Sequence, residues 1–155
     1  MKEEGGYKYG KKTEPLRYEY ETGKVMQQGN FVEDKAEGKW EWFYVDGRLL
    51  REEMYKNGEE LGIAKEFNDT TNAKVIVQGN YVDGHKDGYW EYDIAGVRIA
   101  GKYSDGKEEG EWKEFYPNSK VSFVGTYLQG AENGSHKSFY ANRQDRKSTS
   151  LNSIH

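Results

Sequence analysis

The tripeptide Gly-x-Trp recurs along the chain, at Gly38-Lys39-Trp40, Gly88-Tyr89-Trp90 and Gly110-Glu111-Trp112. Degenerate copies lie 24 residues from an intact one, at Glu14-Pro15-Leu16, Gly62-Ile63-Ala64 and Gly134-Ser135-His136. Each complete unit carries a second aromatic further on, at Phe31, Tyr55, Tyr81, Tyr103 or Tyr127. Self-similarity at a period of about 20 to 50 residues is the signature of repeat architectures. The chain is therefore predicted to be an array of six units, each of about 22 to 26 residues.

Polar and aromatic residues alternate within a unit. Trp40, Trp42 and Tyr44 fall on one side of an extended chain, and this period of two predicts a β-strand. Turn-forming pairs such as Asp46-Gly47 and Ala95-Gly96 lie between the two halves of a unit and suit short hairpin connections. No segment carries sustained helical periodicity with caps. Each unit is therefore predicted to be one β-hairpin, and the array to contain about 11 strands in sequential antiparallel order.

The distance between the two aromatic positions of a unit supports this interpretation. It is 15 residues in the units of Leu16, Trp40 and Trp112, 17 in the unit of Ala64, and 13 in the unit of Trp90. The differences between these lengths are even. An odd change would turn every later side chain onto the opposite face of the sheet, whereas an even change alters only the turn. The spacing therefore predicts that one face of the sheet stays aromatic throughout the array.

Glycine recurs on this aromatic face, two residues before the second aromatic, at Gly29, Gly79, Gly101 and Gly125. A glycine inside a strand leaves a gap that a ring on the adjacent strand can cover. We therefore expect the first aromatic of a neighbouring strand to lie over each of these glycines. The predicted repeat core consists of Trp40, Trp42, Tyr55, Tyr81, Trp90, Tyr103, Trp112 and Tyr127. The predicted repeat glycines are Gly29, Gly38, Gly79, Gly88, Gly101, Gly110 and Gly125.

These motifs carry a family resemblance. The order Gly-x-Trp-x-x-Phe-Tyr, a turn, and then Gly-x-Tyr-x-x-Gly resembles the MORN-repeat variant of the YwqK-family toxin-antitoxin system antitoxins, and Gly110 to Gly130 matches it best. The resemblance implies an all-β fold, an elongated single-layer antiparallel meander of tandem β-hairpins, that serves in protein association. For some MORN proteins it also implies a link to membranes or lipids. The chain departs from the pattern at Ala64, Asn68, Asp93 and His136. Glu53 also replaces a strand glycine, so we expect a weaker sheet around the third unit.

The two ends of the chain are predicted to differ from the array. Residues 1–13 correspond to a partial leading repeat, and residues 14–144 form the MORN-variant hairpin array. Residues 145–155 closely resemble the conceptual translation of a common sequencing adapter, Asp-Arg-Lys-Ser-Thr-Arg-Leu-Asn-Ser-Ser-His, so we interpret them as a non-native tail. We expect this tail to pack against nothing and the last hairpin to lack its return strand.

Composition and charge narrow the function classes. The net charge is -4, so no basic field attracts a phosphate backbone, and we expect no nucleic-acid partner. The chain has no cysteine, and its three histidines, His85, His136 and His155, have no partner at metal-ligand spacing. His136 is expected to be a degenerate core position. The acidic pairs Glu59-Glu60 and Glu108-Glu109 are expected in solvated loops. We therefore predict that the chain is not an enzyme and has no catalytic, metal-binding or cofactor-binding residue.

Two function classes remain open at this stage. The first is a protein-binding repeat module, because an extended repeat sheet presents a long surface to a partner. If the module is an antitoxin, it would act by occluding a toxin. The second is a lipid or membrane-surface module, which requires exposed aromatics among basic residues, and the acidic balance argues against it. We expect partner contacts at the long turn from Asn68 to Lys74 and at aromatics left uncovered on the sheet face.

Overall fold

β-Strands are the only regular elements in the described part of the chain. The structure is a computed structural model that describes residues 15–134 and 136–139, and the backbone of short strands at residues 7–8, 11–12 and 147–149. The chain divides into two compact units, Met1–His85 (unit 1) and Lys86–His155 (unit 2). Because the described residues contain no helix, the all-β prediction is confirmed.

The strands follow one another closely in both units. Unit 1 contains β1 (Tyr7–Lys8), β2 (Lys11–Lys12), β3 (Pro15–Glu19), β4 (Val25–Val32), β5 (Lys35–Phe43), β6 (Leu49–Lys56), β7 (Glu59–Glu60), β8 (Gly62–Phe67) and β9 (Val75–Val82). Unit 2 begins in β10 (His85–Ile94) and continues with β11 (Val97–Ser104), β12 (Lys107–Phe115), β13 (Val121–Leu128), β14 (Ala131–Glu132), β15 (His136–Ser138) and β16 (Lys147–Thr149).

Sequential antiparallel pairing organises each unit. In unit 1 the order is β3-β4-β5-β6-β8-β9, with β7 on β6, and β1 pairs with β2. In unit 2 the order is β10-β11-β12-β13-β15-β16, with β14 on β13. Leu61 separates β7 from β8, and residues 133–135 separate β14 from β15. When each of these pairs is taken as one interrupted strand, β3 to β15 are the eleven strands of sequential hairpins that the repeat pattern predicts.

The register explains why the aromatic spacing varies only by even numbers. In four of the five complete repeats the first aromatic position lies directly opposite a strand glycine, in the pairs Leu16–Gly29, Ala64–Gly79, Trp90–Gly101 and Trp112–Gly125. In the remaining repeat Trp40 lies opposite Glu53. The hairpin of Ala64 has a longer turn and that of Trp90 a shorter one, and both keep this pairing. The extra and missing residues are therefore confined to the turn, and one face of the sheet (the ring face) keeps the large side chains.

Two-residue turns join successive hairpins. Both residues of such a turn have positive φ, at 52° and 87° in Asn57-Gly58 and at 51° and 81° in Asp105-Gly106. This conformation is that of a type I′ turn, whose twist matches the strands it joins and which favours glycine at its second position. Each turn is also tied to the preceding hairpin. The N–H groups of Gly58, Gly84, Gly106 and Gly130 donate to the carbonyl oxygens of Ala36, Glu60, Lys86 and Glu108, respectively, at 2.9 to 3.0 Å.

The acidic pairs lie in strands, and the prediction that they occupy loops is wrong. Glu59-Glu60 forms β7, and Glu108-Glu109 lies within β12. The physical reason is that the type I′ turn needs only two residues, so its acidic neighbours belong to the flanking strands. The Glu109 carboxylate accepts a hydrogen bond from the N–H of Gln129, 2.9 Å away, and therefore helps to hold the next turn.

The expectation for the C-terminal residues is wrong in one respect. Lys147–Thr149 forms β16 and pairs antiparallel with His136–Ser138, whereas the sequence pattern predicts that residues 145–155 pack against nothing. The free edge of a terminal strand presents unpaired N–H and C=O groups that a short polar segment can satisfy without any side-chain pattern. The non-native origin of residues 145–155 stays a prediction, as do the boundaries of the leading partial repeat.

Candidate binding surface

The three tryptophans of the Gly-x-Trp motifs are buried in the sheet. Trp40 is 4% exposed, Trp90 2% and Trp112 8%. The remaining predicted core residues are partly buried, and these are Trp42, Tyr55, Tyr81, Tyr103 and Tyr127. His136, which stands in a tryptophan position, is fully buried, with its ring edge-to-face against Phe123 at 5.3 Å. The large rings therefore form the core, and His136 is a core residue as expected.

Two of these tryptophans, Trp40 and Trp112, lie over a glycine of the preceding strand. A Cβ atom added to Gly29 would lie 2.1 Å from the Trp40 ring, and one added to Gly101 would lie 2.2 Å from the Trp112 ring. The Trp112 indole Nε1 also donates to the carbonyl oxygen of Lys102, 3.1 Å away. The predicted ring-over-glycine contact is confirmed at both places, and any side chain there would displace the ring.

The other repeat glycines have a different role. Gly110, two residues before Trp112, has a φ of +76°, and no atom lies within 4 Å of the position where its Cβ would be. The positive φ favours glycine, whereas the space around it would admit a side chain. Gly38 and Gly88 share this conformation. Gly79 is buried, and Gly125 lies near the His136 ring, which a Cβ would approach to 3.3 Å.

Rings on adjacent strands meet edge to face. In unit 2 the ring centroids of Trp90 and Tyr103 are 6.1 Å apart, those of Tyr103 and Trp112 5.0 Å, and those of Trp112 and Tyr127 6.5 Å. This arrangement is the one that the ring quadrupoles favour. Burial and a hydrogen bond with Tyr92 raise the pKa of Tyr103 above its usual range. The rings thus form a continuous ladder across β10 to β13.

Glu53 is larger, and Ala64 is smaller, than the residue that the repeat pattern places at its position. Glu53 stands where other units have the strand glycine, and Ala64, on the next hairpin, stands where they have the covering tryptophan. The Glu53 side chain is 12% exposed, and its carboxylate accepts a hydrogen bond from the Tyr55 hydroxyl at 2.6 Å. Burial and this carboxylate raise the pKa of Tyr55. We interpret Glu53 as filling the space that a ring at position 64 would take.

A row of tyrosine hydroxyls connects successive hairpins, and the repeat pattern alone did not reveal its role. The hydroxyl of Tyr20 donates to the carbonyl oxygen of Phe43 at 2.6 Å, and that of Tyr44 to the carbonyl oxygen of Phe67 at 2.7 Å. Tyr116 bonds the carbonyl oxygen of Phe139 in the same way. Each tyrosine lies four residues after the first aromatic position, and that recurrence is the signal that could have identified it.

A pocket of about 370 Å³ opens on the ring face of unit 2. Its ring side is formed by Tyr103, Trp112, Phe123 and Tyr127, and its polar side by Glu108 and Glu114. We call these six residues the ring pocket. Ile94, which is 57% exposed, lies on its border. Burial, and then the carboxylates of Glu132, Glu108 and Glu114, raise the pKa of Tyr127.

The turn from Asn68 to Lys74 and the exposed ring of Tyr89 are the other two predicted contact sites. In the turn from Asn68 to Lys74, the Asn68 side-chain oxygen accepts hydrogen bonds from the Thr70 hydroxyl at 2.9 Å and the Lys74 N–H at 3.0 Å. Arg48 forms an ion pair with Asp69 of this turn. Tyr89, in β10, is 54% exposed. The predicted turn surface is therefore held by its own side-chain hydrogen bonds and by the ion pair with Arg48, and Tyr89 is the one aromatic residue of the described part of the chain that is mostly exposed.

Among the described residues, no group of three or more His, Asp or Glu side chains could hold a metal ion. Over that same part of the chain, no helix is long and apolar enough to span a bilayer.

Hairpins in sequence order, rings over glycines and type I′ turns define the chain as a tandem β-hairpin repeat protein. The family model of the MORN repeat variant matches two of its segments, residues 36–57 and 108–129. Each match begins at the second residue of a ring strand, β5 or β12, and continues through the return strand, and the second match overlaps the segment from Gly110 to Gly130. No curated protein matches the chain. MORN repeats are generally associated with binding roles.

Proposed function

We propose that this chain is a non-catalytic repeat module that binds another protein through the ring face of unit 2. The observation that carries the proposal is the ring pocket, because it is an open volume in which buried and partly buried rings lie beside the carboxylates of Glu108 and Glu114. Pockets of about 300 to 1,000 Å³ that join apolar walls to a few polar groups are typical of binding sites. Contiguous apolar surface with a polar border likewise marks sites of association.

The repeat architecture supports this role. Glycines and tryptophans that set the packing recur from hairpin to hairpin, so the positions between them are free to differ without loss of the fold. In the ring pocket those differing positions are Glu108 and Glu114. Specificity for one partner then comes from such residues. The resemblance to YwqK-family antitoxins makes a toxin the class of partner we propose first, with the module occluding its surface.

The lipid alternative has less support. Binding to an anionic membrane surface draws on basic residues beside exposed apolar groups. The ring pocket instead carries carboxylates, and the whole chain has a net charge of -4. Carboxylates repel an anionic leaflet and attract basic groups on a protein.

Capture of a protein partner by three matched baits tests the proposal. The baits are the unaltered chain, Ile94→Ser at the border of the ring pocket, and Leu128→Ser, which has similar exposure in the same unit but lies away from the pocket. The probe is the purified product of the gene adjacent to the coding sequence, followed by a lysate of the source cells. Proteins that the unaltered bait retains should also be retained by Leu128→Ser and lost from Ile94→Ser.

Vesicles of phosphatidylserine and phosphatidylcholine provide the competing measurement. The proposal predicts that the chain stays in the supernatant when these vesicles are sedimented. Sedimentation with the vesicles, together with no protein retained by any bait, would overturn protein binding in favour of the lipid alternative. Equal retention by Ile94→Ser and Leu128→Ser would place the binding surface elsewhere.

A further inference from the structure

The chain itself shows how the ring face holds an ammonium group. The Lys86 Nζ lies 4.9 Å from the centroid of the Trp90 ring, 5.2 Å from that of Tyr103 and 5.3 Å from that of Tyr92. It also donates a hydrogen bond to the Tyr92 hydroxyl at 2.8 Å. A cation within about 6 Å of a ring centroid is attracted by the ring quadrupole. Three rings and a hydroxyl therefore form a site for one ammonium, and Lys86 occupies it.

The next hairpin repeats two of the three rings of this site and carries glutamates in place of its lysine and its third ring. Trp112 and Tyr127 stand in the positions of Trp90 and Tyr103, and the two pairs have similar geometry. The ring centroids of Trp112 and Tyr127 are 6.5 Å apart, with an angle of 80° between the ring planes. Those of Trp90 and Tyr103 are 6.1 Å apart, with an angle of 88°. Glu108 stands in the position of Lys86, four residues before the tryptophan, and Glu114 stands in that of Tyr92, two residues after it. The second ring pair thus has a carboxylate in the position of the lysine and another in the position of the third ring.

The ring pocket lies where this hairpin has Glu108 in place of Lys86 and Glu114 in place of Tyr92. At Trp90, the lysine side chain lies over the rings. At Trp112, an open volume of about 370 Å³ lies among the rings, with Glu108 and Glu114 on its polar side. Lys113 also lines this volume, but its side chain alternates with that of Trp112 along β12, and its ammonium is paired with Glu111 at 3.3 Å. The pocket combines the ring geometry that holds an ammonium with carboxylates of the complementary charge.

We infer that the ring pocket binds the side-chain ammonium of a lysine on a protein partner, in the manner of Lys86 in the preceding hairpin. This inference rests on the proposed protein-binding function and names the partner chemistry. The rings face the alkyl chain and the ammonium, while Glu108 and Glu114 supply the opposite charge. Aromatic rings favour an organic cation over a hard metal ion, which prefers several oxygen ligands.

A lysine derivative and its neutral analogue test the chemistry. The full ¹⁵N-labelled chain is titrated with Nα-acetyl-lysine amide and, separately, with Nα-acetyl-norleucine amide, and the indole N–H resonances are followed. The lysine derivative should shift the Trp112 resonance saturably at millimolar concentration, while Trp40, in unit 1, stays unchanged. The neutral analogue should bind about three- to thirtyfold more weakly, the ratio that an exposed cation–π contact and an exposed ion pair provide together.

Three variants locate the site. Glu108→Gln should weaken binding of the lysine derivative by about two- to fivefold, while Glu111→Gln, on the same strand but the opposite face, should leave it unchanged. Glu108→Lys reproduces the sequence of the preceding hairpin at this position, so its own ammonium should abolish the Trp112 shift. An unchanged chemical shift of the Trp40 indole resonance verifies that each variant is folded. Equal shifts with both amides, or full binding by Glu108→Lys, would overturn the lysine site.

Protein capture separates this inference from the function on which it rests. If a protein is retained by the unaltered chain and equally by Glu108→Lys, the lysine site is wrong and protein binding stands. If the lysine derivative binds and depends on Glu108 but no bait retains a protein, the pocket chemistry stands and the proposed function fails. Loss of the retained protein from Glu108→Lys, with retention by Glu111→Gln, supports both.

Discussion

Glycine and tryptophan act as a pair in this sheet. A strand glycine leaves a hollow, and the indole from the next hairpin fills it so closely that a Cβ on Gly101 would lie 2.2 Å from the ring of Trp112. The indole N–H then finds its acceptor on the same strand, at the carbonyl oxygen of Lys102. The glycine and the indole therefore depend on each other. A side chain at the glycine would clash with the ring, whereas truncation of the ring would leave a cavity.

Truncation of the ring should destabilise the chain by leaving a cavity. Trp112→Ala removes a side chain that is 8% exposed, and we expect a loss of about 3 to 5 kcal/mol in the free energy of unfolding. Denaturant unfolding followed by far-ultraviolet circular dichroism measures it. Lys102→Ala, at an exposed neighbouring position, is the control and should change stability by less than about 0.5 kcal/mol. A cost for Trp112→Ala as small as that of the control would contradict a core role for this ring.

The effects of substitutions at Glu53 and Ala64 on the free energy of unfolding should be coupled, because the two side chains share one space. Ala64→Trp alone places an indole where Glu53 stands, and Glu53→Gly alone leaves a hollow, so each single change should destabilise the chain. The double change recreates the pairing of Gly101 with Trp112 and should recover stability. We expect a coupling energy of about 1 to 3 kcal/mol in a double-mutant cycle. Strictly additive effects would show that the two residues do not share this space.

The buried tyrosines predict how stability depends on alkaline pH. Burial, and then the hydrogen bond with Tyr92, raise the pKa of Tyr103 above its unfolded value of 10.0. The folded state therefore holds this proton more tightly than the unfolded state, and the contribution to stability is complete below pH 10 and declines above it. The melting temperature should be constant between pH 8 and 9.5 and fall at higher pH. Tyr103→Phe should reduce the steepness of that fall, and an unchanged pH profile in this variant would contradict the assignment.

At the scale of the element, hydrogen bonds from side chains join one hairpin to the next at both ends. Tyrosine hydroxyls at one end donate to carbonyl oxygens of the following hairpin, as Tyr44 does to Phe67. At the other end, Glu37 and Glu109 accept from turn N–H groups. A single two-stranded hairpin is marginal in water. These bonds, added to the ring contacts, explain why the hairpins are stable in series.

Removal of one such hydroxyl should have a small and measurable cost. Tyr44→Phe leaves the ring in place and deletes the hydrogen bond to the Phe67 carbonyl oxygen, which should lower the free energy of unfolding by about 0.5 to 1.5 kcal/mol. Tyr18→Phe is the matched control, because no hydroxyl hydrogen bond of Tyr18 is seen within the described residues. Thermal unfolding of both variants checks the difference. If Tyr44→Phe is no less stable than Tyr18→Phe, the hydroxyl row does not stabilise the array.

At the scale of the whole molecule, periodicity was sufficient to predict the hairpins, their order and the ring-over-glycine contact at Gly29 and Gly101. The pairing of β16 was not predictable, since it depends on a free strand edge and not on side-chain pattern. The ring pocket was not predictable either. It arises because two positions that vary between repeats, 108 and 114, carry carboxylates beside Trp112. A repeat pattern identifies what units share, whereas a binding site depends on where they differ.

Cross-linking from the border of the ring pocket tests protein binding by this face most directly. A photoreactive benzoylphenylalanine is placed at position 94 in one variant and at position 128, equally exposed and away from the pocket, in another. Both variants are irradiated in a lysate of the source cells. We expect a protein adduct from position 94, with the cross-linked peptide adjoining a lysine, and none from position 128. Adducts of equal yield from both positions, or no protein adduct from position 94, would contradict it.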